Sequence, residues 1–175
     1  MGNAERRAIP KRIHWAVDSM DLRPGQQVLE IGFGNGMAIS LVHKLIAPDG
    51  HIHGIEQSEV QVERGSSRNS WAHKHGMLTL EHAPLATAEL RPDRYDVVFA
   101  TNLNIFWTGD VSAELAMIKA SLRPGGTFYL FYEEPAPAKT EQVAAKVTSA
   151  LETAGFTVEV IPSPTPTQWG VRAAG

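Results

Sequence analysis

The sequence predicts a single α/β domain, residues 1–175, built on a doubly wound and mostly parallel sheet. Apolar segments typical of strands alternate with amphipathic helical segments almost throughout, and this alternation favours parallel strands joined by right-handed crossovers. Segments 156–161 and 168–173 close the chain as two strands with no helix between them. One of these two strands should therefore run antiparallel to the others.

The first third of the chain is predicted to form helix, strand and helix. Pro10 suits the first turn of a helix, whose apolar stripe is Ile9, Ile13, Ala16, Val17 and Met20. Residues 27–31 form a short apolar strand, and the glycine-rich segment 32–36 follows it directly. The next helix should bury one face and end at residues 48–50, where Pro-Asp-Gly stops it. That face consists of Ala38, Leu41, Val42 and Leu45.

The second strand is predicted at 51–55, with an acidic residue directly after it. Ser58 and Gln61 have the spacing of a capping box, which indicates the start of a helix. This helix is expected to run without interruption to about His75, and strand 77–81 follows it.

Residues 95–101 form a near-continuous apolar run, as expected for a strand that is buried on both faces. Asp110 can cap the helix after it, and residues 124–126, Pro-Gly-Gly, turn the chain into strand 127–132. A long helix then ends at Gly155, which suits a C-terminal cap. With the two closing strands, the sheet has seven strands.

Composition limits the classes of function. The net charge is −3, there are no cysteines, and no apolar run approaches the roughly 18 residues that span a bilayer. These features predict a cytoplasmic protein without a membrane anchor, a signal peptide, disulfides or thiolate metal sites. The basic residues Arg6, Arg7, Lys11 and Arg12 are interpreted as a solvated terminus, and no nucleic-acid partner is expected. The seven histidines show no metal-ligand spacing, so no metal is assigned.

Three candidate site segments follow predicted strands, at the edge of an open α/β sheet where ligands bind. Segment 32–36 has three glycines, which allow a tight turn and a close approach of the backbone to a ligand. Glu56 follows the second strand, where a carboxylate can accept hydrogen bonds from ribose hydroxyls. Segment 101–107, Thr-Asn-Leu-Asn-Ile-Phe-Trp, places two amides and two aromatic rings after the fourth strand. The two aromatic rings are equally explained as packing beneath the loop.

The motifs together resemble one superfamily. Val28-Leu29-Glu30-Ile31-Gly32-Phe33-Gly34-Asn35-Gly36 is similar to the first motif of class I S-adenosylmethionine-dependent methyltransferases. Three further features are similar to that superfamily: the spacing to Glu56, the strand that begins at Tyr95 and the Pro-Gly-Gly turn at 124–126. The resemblance covers residues 20–135 well and implies a Rossmann-like fold, with seven strands of which the last is inserted antiparallel.

The resemblance also implies roles at the site. S-adenosylmethionine is the expected cofactor, with its methionine part on the glycine backbone and its ammonium near Glu30. Glu56 is expected to hold the ribose hydroxyls, Gln57 to lie beside the adenine, and Asn102 to lie near the sulfonium. The full set of expected cofactor-binding residues is Glu30, Gly32, Phe33, Gly34, Asn35, Gly36, Glu56, Gln57, His82, Ala83, Thr101 and Asn102.

One segment departs from the pattern. Many relatives carry an Asp after the third strand that accepts a hydrogen bond from the adenine amino group, but this chain has Glu-His-Ala-Pro at 81–84. Either His82 or a backbone carbonyl near Ala83 would have to accept the hydrogen bond from the adenine amino group, or the adenine is held less tightly.

His14, Asn104 and Trp107 are the predicted catalytic residues. Methyl transfer from a sulfonium is an in-line displacement, so the main task of the protein is alignment. Trp107 or Phe106 would stabilise the cation through its ring, and His14 would act as a base if the acceptor arrives protonated. Residues 1–21 are expected to form a helical lid over the cofactor.

The acceptor is predicted to be a small molecule, because the chain lacks both a basic face and the Asn/Asp-Pro-Pro-aromatic sequence of amino-methylating enzymes. An open entrance to the substrate site would also admit a larger substrate, or it would be covered by a second copy of the chain in a homodimer. A nicotinamide-dependent oxidoreductase is an alternative, although its G-x-G-x-x-G pattern is missing. A non-catalytic domain that binds the cofactor or a partner protein is a second alternative.

Overall fold

The computed structural model describes residues 9–175. A seven-stranded sheet has the order β3-β2-β1-β4-β5-β7-β6. Strands β1 to β5 pair in parallel, and β7 is antiparallel to both of its neighbours, β5 and β6. This confirms the doubly wound fold, the seven strands and the antiparallel insertion of the last strand. The strands are β1 (Gln27–Ile31), β2 (His51–Glu56), β3 (Leu78–His82), β4 (Tyr95–Thr101), β5 (Leu122–Glu133), β6 (Thr157–Ile161) and β7 (Gln168–Ala174).

Seven α-helices connect or flank these strands within the described residues. They are α1 (Lys11–Ser19), α2 (Ile39–Ile46), α3 (Glu59–Arg68), α4 (Ser70–Lys74), α5 (Ile105–Thr108), α6 (Ser112–Ser121) and α7 (Pro137–Thr153). A 3₁₀ turn, Leu85–Thr87, follows β3. None of these helices combines the length and the apolar character that crossing a membrane would require.

Each face of the sheet is covered by its own hydrophobic core. On one face, α1, α2 and α4 pack against β-strand residues that include Val28, Val97 and Phe131. On the other face, α6 and α7 pack against residues that include Leu29 and Phe128. Because neighbouring side chains in a strand point to opposite faces, Glu30 of β1 lies on the same face as Val28.

Three helix predictions need correction. The stripe of α2 is rotated by one position: Ile39, Val42 and Ile46 are buried, whereas Leu45 is 43% exposed. The segment after Glu56 is two helices, because Asn69 ends α3 and begins α4 with a backbone φ of −108° and ψ of 24°. The predicted capping box of Ser58 does not form either, since no side-chain bond caps this helix.

Other local signals are confirmed. All five members of the first helical stripe, Ile9 to Met20, are buried. Asp110 is an exception: the N-cap of α6 is Val111, and no side-chain bond caps this helix. Asp110, one residue earlier, accepts the backbone N–H of Ser112 at 2.9 Å, and this bond lowers the pKa of Asp110. The Pro-Gly-Gly turn at 124–126 lies inside the bounds of β5, where the pairing register with β4 changes between Tyr95 and Val97.

Candidate active site

The glycine turn, residues 32–36, joins β1 to the segment that leads into α2. Its three glycines have φ of +68°, +52° and +73°, a left-handed backbone that other residues adopt only with strain. The N–H of Gly32 donates to the carbonyl of Ile55 at 2.8 Å, and the N–H of Gly36 donates to that of Phe33 at 2.9 Å. The glycines are therefore required by the shape of the turn.

Phe33 points away from the open side of the turn and into the core. It is buried, and it lies between Gly54 of β2 and Gly65 of α3. A Cβ added to Gly54 would lie 2.8 Å from Cδ1 of Phe33, and one added to Gly65 would lie 2.7 Å from Cε2. Phe33 thus supports the turn from beneath, and only its backbone faces the ligand side.

Glu56 links the end of β2 to the glycine turn. One carboxylate oxygen, Oε2, accepts the N–H of Gly34 at 2.9 Å, and Oε1 accepts the N–H of Ser58 at 2.9 Å. Glu56 is buried, although it also lines the open crevice described below. Each carboxylate oxygen has a second acceptor position, so the side chain can hold the turn and still accept a ligand hydroxyl.

Glu30 is the buried acid of the site. It is 1% exposed, and its Oε2 has no hydrogen-bond partner among the described residues. Burial raises the pKa of Glu30 well above its ordinary value, and the Glu56 carboxylate raises it further. An unpartnered buried oxygen is costly. Glu30 therefore suits a cationic ligand group that would complete its hydrogen bonding.

A crevice of about 230 Å³ opens beside the glycine turn, between the ends of β1, β2 and β4. This is the point where the strand order reverses, and open α/β sheets bind ligands there. Six of the predicted cofactor residues line it: Gly32, Glu56, Gln57, Ala83, Thr101 and Asn102. The remaining lining residues are Ile31, Ile55, Leu85, Leu103 and Ile105. Leu103 and Ile105 belong to the predicted site segment 101–107, whereas Ile31, Ile55 and Leu85 had no predicted role at the site.

His82 lies at the outer rim of the crevice rather than in its lining. It is exposed, and its Nε2 is 3.0 Å from the carbonyl oxygen of Gln57. The N–H of Ala83 donates to the carbonyl of Glu56 at 3.0 Å, which holds the two loop segments side by side. The structure thus brings Gln57, His82 and Ala83 together at one end of the crevice.

The loop after β4 closes the opposite end of the crevice. Asn102 has a left-handed backbone with φ +52°, and its Oδ1 accepts the N–H of Glu133 at 2.8 Å. Tyr132, which is buried, donates its hydroxyl to the carbonyl of Leu103 at 3.0 Å. A Cβ on Gly32 would lie 3.0 Å from Cδ1 of Leu103, so Leu103 packs directly over the glycine turn.

The three predicted catalytic residues do not line the crevice. Asn104 is exposed, and its carbonyl accepts the hydroxyl of Thr108 at 3.0 Å. Trp107 is turned toward α7, where Nζ of Lys139 lies 4.1 Å from its ring centroid. Phe106 is buried against Phe128, which agrees with the packing interpretation of these rings.

His14 is half-buried on α1. This helix packs into the core on one face of the sheet through Ile13, Ala16 and Val17. Near its beginning, Nη1 of Arg12 lies 3.5 Å from Oε2 of Glu133, at the end of β5. The part of the predicted lid that precedes Ile9 lies outside the described residues.

Two residues that were not predicted, Asn69 and Arg68, contact the glycine turn from behind. An Asn inside a helical pattern was a usable signal, because Asn favours helix ends over helix interiors. Within residues 9–175, no three His, Cys, Asp or Glu side chains gather closely enough to hold a metal ion.

Comparison with known proteins identifies the class. A methyltransferase domain family matches residues 28–126, and the chain belongs to this family. Together with the Rossmann-like sheet and the crevice beside the glycine turn, the family match defines an S-adenosylmethionine-dependent methyltransferase. The chain is therefore an enzyme with S-adenosylmethionine as its cofactor, and the oxidoreductase and non-catalytic alternatives fall away.

Individual relatives agree with this class. The chain is 26% identical over 146 residues to an uncharacterized methyltransferase, YdaC, of Bacillus subtilis, which covers 81% of this chain and 77% of that protein. It is 32% identical over 130 residues to the 27-O-demethylrifamycin SV methyltransferase of Amycolatopsis mediterranei, covering 73% of this chain but 47% of the relative. The fold is similar to a SAM-dependent methyltransferase from Aquifex aeolicus, with a TM-score of 0.79, 18% identity and coverage of 97% and 96% of the two chains.

Proposed function

We propose that this methyltransferase acts on a small-molecule acceptor, which meets the methyl group beside Thr101 and Asn102. The observation that carries the proposal is that the crevice, of about 230 Å³, has no Lys, Arg or His among the described residues that line it, so it offers no contact for the phosphates of a nucleic acid. The net charge of −3 offers no electrostatic footprint for a nucleic acid. The relative from Amycolatopsis mediterranei is named for a small-molecule acceptor.

The proposed placement of the cofactor follows the polar groups of the crevice and the buried carboxyl of Glu30, which does not itself line the crevice. The unpartnered Oε2 of Glu30 suits the ammonium of the methionine part, because it is buried and needs a donor. The free acceptor positions of Glu56 suit the ribose hydroxyls, and the segment of Gln57, His82 and Ala83 suits the adenine. The bound cofactor supplies a methyl group on a sulfonium. Phe33, Asn35 and Gly36 contribute through the backbone of the turn.

In this proposal the residues of the chain act mainly by alignment. Asn102 is held in a left-handed conformation by its bond from Glu133, so its position at the rim of the crevice is fixed before the acceptor arrives. Alignment of this kind accounts for about 7–11 kcal/mol of barrier lowering in well-oriented reactions. Asn104 does not line the crevice, and its proposed role rests on its place in the loop after β4. Trp107 is left out of the proposal, because its ring faces Lys139 of α7.

His14 remains the proposed base for an acceptor that arrives protonated. The variant His14→Gln should then lose activity below neutral pH and recover part of it at alkaline pH, where the acceptor ionises without help. His43→Gln, a change to a half-buried histidine of α2, serves as the matched control. An unchanged pH profile in His14→Gln would remove the histidine from the mechanism.

The acceptor class is tested by methyl labelling in a cell extract. The purified enzyme is supplied with S-adenosylmethionine that carries a tritiated methyl group, and the extract is separated into low-mass, protein and RNA fractions. We expect the wild-type enzyme to transfer label to an acceptor in the low-mass fraction. Glu56→Ala should transfer none. Label confined to the protein or RNA fraction would contradict a small-molecule acceptor.

A further inference from the structure

The break between α3 and α4 lies directly behind the glycine turn. Three residues around this break, Gly65, Arg68 and Asn69, contact successive parts of the turn. Asn69 is 3% exposed, which is unusual for a polar side chain that ends one helix and begins the next. We call these three residues the back support.

Asn69 makes the closest contacts of the back support. Its Nδ2 donates two hydrogen bonds of 3.0 Å, one to the carbonyl of Gly36 and one to the carbonyl of Gly65. Both protons of the amide are thereby used, and they join the last residue of the turn to the helix behind it. A Cβ on Gly36 would collide with this same Nδ2, so the turn and the amide fit each other closely.

Gly65 and Arg68 hold the preceding residues of the turn. The ring of Phe33 packs on Gly65, where even a methyl group would come within 2.7 Å of it. The Nε of Arg68 donates to the carbonyl of Asn35 at 3.0 Å. Three consecutive parts of the turn, at Phe33, Asn35 and Gly36, are therefore fixed from one short stretch of chain.

We infer that Asn69 is a positioning residue for cofactor binding, acting through the glycine turn and supported by Arg68. This inference rests on the proposed role of residues 32–36 in holding the cofactor. Asn69 does not line the crevice, so its effect on binding passes through the turn that it holds. It holds the turn in its binding conformation before the ligand arrives, which removes an ordering cost from binding.

The test compares Asn69→Ala and Asn69→Asp with the wild type. Alanine removes both hydrogen bonds, and aspartate keeps the size of the side chain but places an oxygen against two carbonyl oxygens. We expect S-adenosylmethionine affinity to fall at least tenfold in both, measured by calorimetry. Backbone amide exchange of residues 32–37 should become faster in the free protein. Arg68→Gln should produce the same effects more weakly, because Arg68 is exposed.

Two controls separate positioning from general loss of stability. Val147→Ala, in the core on the opposite face, should lower Tm without changing affinity or exchange in the turn. Arg64→Gln changes an exposed residue of α3 and should change neither property. If Asn69→Ala leaves exchange at 32–37 and cofactor affinity at wild-type values, the inference is overturned. If exchange at 32–37 is faster in Asn69→Ala but the wild type itself binds no S-adenosylmethionine, the proposed cofactor site is overturned instead.

Discussion

The backbone N–H of Gly34 donates to Oε2 of Glu56 over 2.9 Å, and this bond joins the turn after β1 to the end of β2. The two residues are 22 positions apart in the sequence. The same carboxylate also accepts the N–H of Ser58. One acidic side chain thus fixes the geometry of two loops at the edge of the crevice, in addition to its proposed contact with the ribose.

Glu56→Ala should abolish measurable S-adenosylmethionine binding while leaving the protein folded. Both backbone donors lose a charged acceptor, which should lower the free energy of unfolding by about 1–3 kcal/mol. Calorimetric titration and denaturant unfolding measure the two effects. Glu59→Ala replaces an exposed residue at the beginning of α3 and should leave both the cofactor affinity and the free energy of unfolding unaffected. Wild-type affinity in Glu56→Ala would refute the site assignment.

Gly34→Ala and Gly25→Ala form a matched pair. Both glycines have positive φ, +52° and +85°, and neither has an atom within 4 Å of an added Cβ. Each substitution should therefore cost a similar backbone strain of about 1–2 kcal/mol. Only Gly34→Ala should weaken cofactor binding, and Gly34→Val should abolish it, because the added atoms stand on the ligand side of the turn. Equal affinity in the two alanine variants would argue against the turn as the binding element.

Glu30→Gln should stabilise the free protein as the pH rises. The folded-state pKa of Glu30 is raised by burial and by Glu56, so the protonated form favours folding and this contribution is lost as pH rises through that pKa. The variant cannot ionise. At pH 8 we expect it to gain about 1 kcal/mol, or about 2–4 °C in Tm, over the wild type.

The difference between Glu30→Gln and the wild type should shrink toward acidic pH, where both side chains are neutral. Thermal unfolding between pH 5 and 9 measures this. The same variant should bind S-adenosylmethionine more weakly, because the ammonium loses an ionised partner. A variant that is less stable than the wild type at pH 8, or that binds equally well, would contradict the proposed role of the buried carboxyl.

Phe33 and Gly65 should be energetically coupled. Gly65→Ala places a methyl group 2.7 Å from the ring of Phe33, and such overpacking typically costs about 1–3 kcal/mol. In a Phe33→Leu background the smaller side chain should relieve most of this cost. Urea unfolding of the two single variants and the double variant gives the coupling. Additive effects would show that the two residues are not in contact.

Much of the fold follows from local pattern. The alternation of strands and helices and the apolar stripe of α1 were both predicted from spacing alone. The predictions that were wrong concern tertiary contacts. Asn69 breaks the helix after Glu56 because its amide bonds to Gly36, a partner 33 residues away. Leu45 fits a helical stripe as well as Ile46 does, and only the angle at which α2 meets the sheet decides which one is buried.

The candidate site also contains residues that local sequence predicts and residues whose contacts depend on tertiary packing. Gly32 and Glu56 could be located because strict backbone and charge requirements limit which residue types serve there. Segment 101–107 was predicted to border the site, but the contact of Leu103 with Gly32 was not, since it depends on the path that the loop takes after β4. The side-chain direction of Trp107 was equally inaccessible, because it depends on Lys139 and α7. Apolar and aromatic residues tolerate many partners, so their direction is fixed by packing rather than by type.

Strand β6 is attached to the sheet through β7 alone, since β7 pairs with β5 on one side and with β6 on the other. Any event that frees β7 therefore releases β6 with it and exposes the backbone edge of β5. The two strands should open and close as one cooperative unit. An unpaired edge of this kind is a template for another chain, so opening at the β7 junction would add a surface for self-association that the closed sheet does not offer.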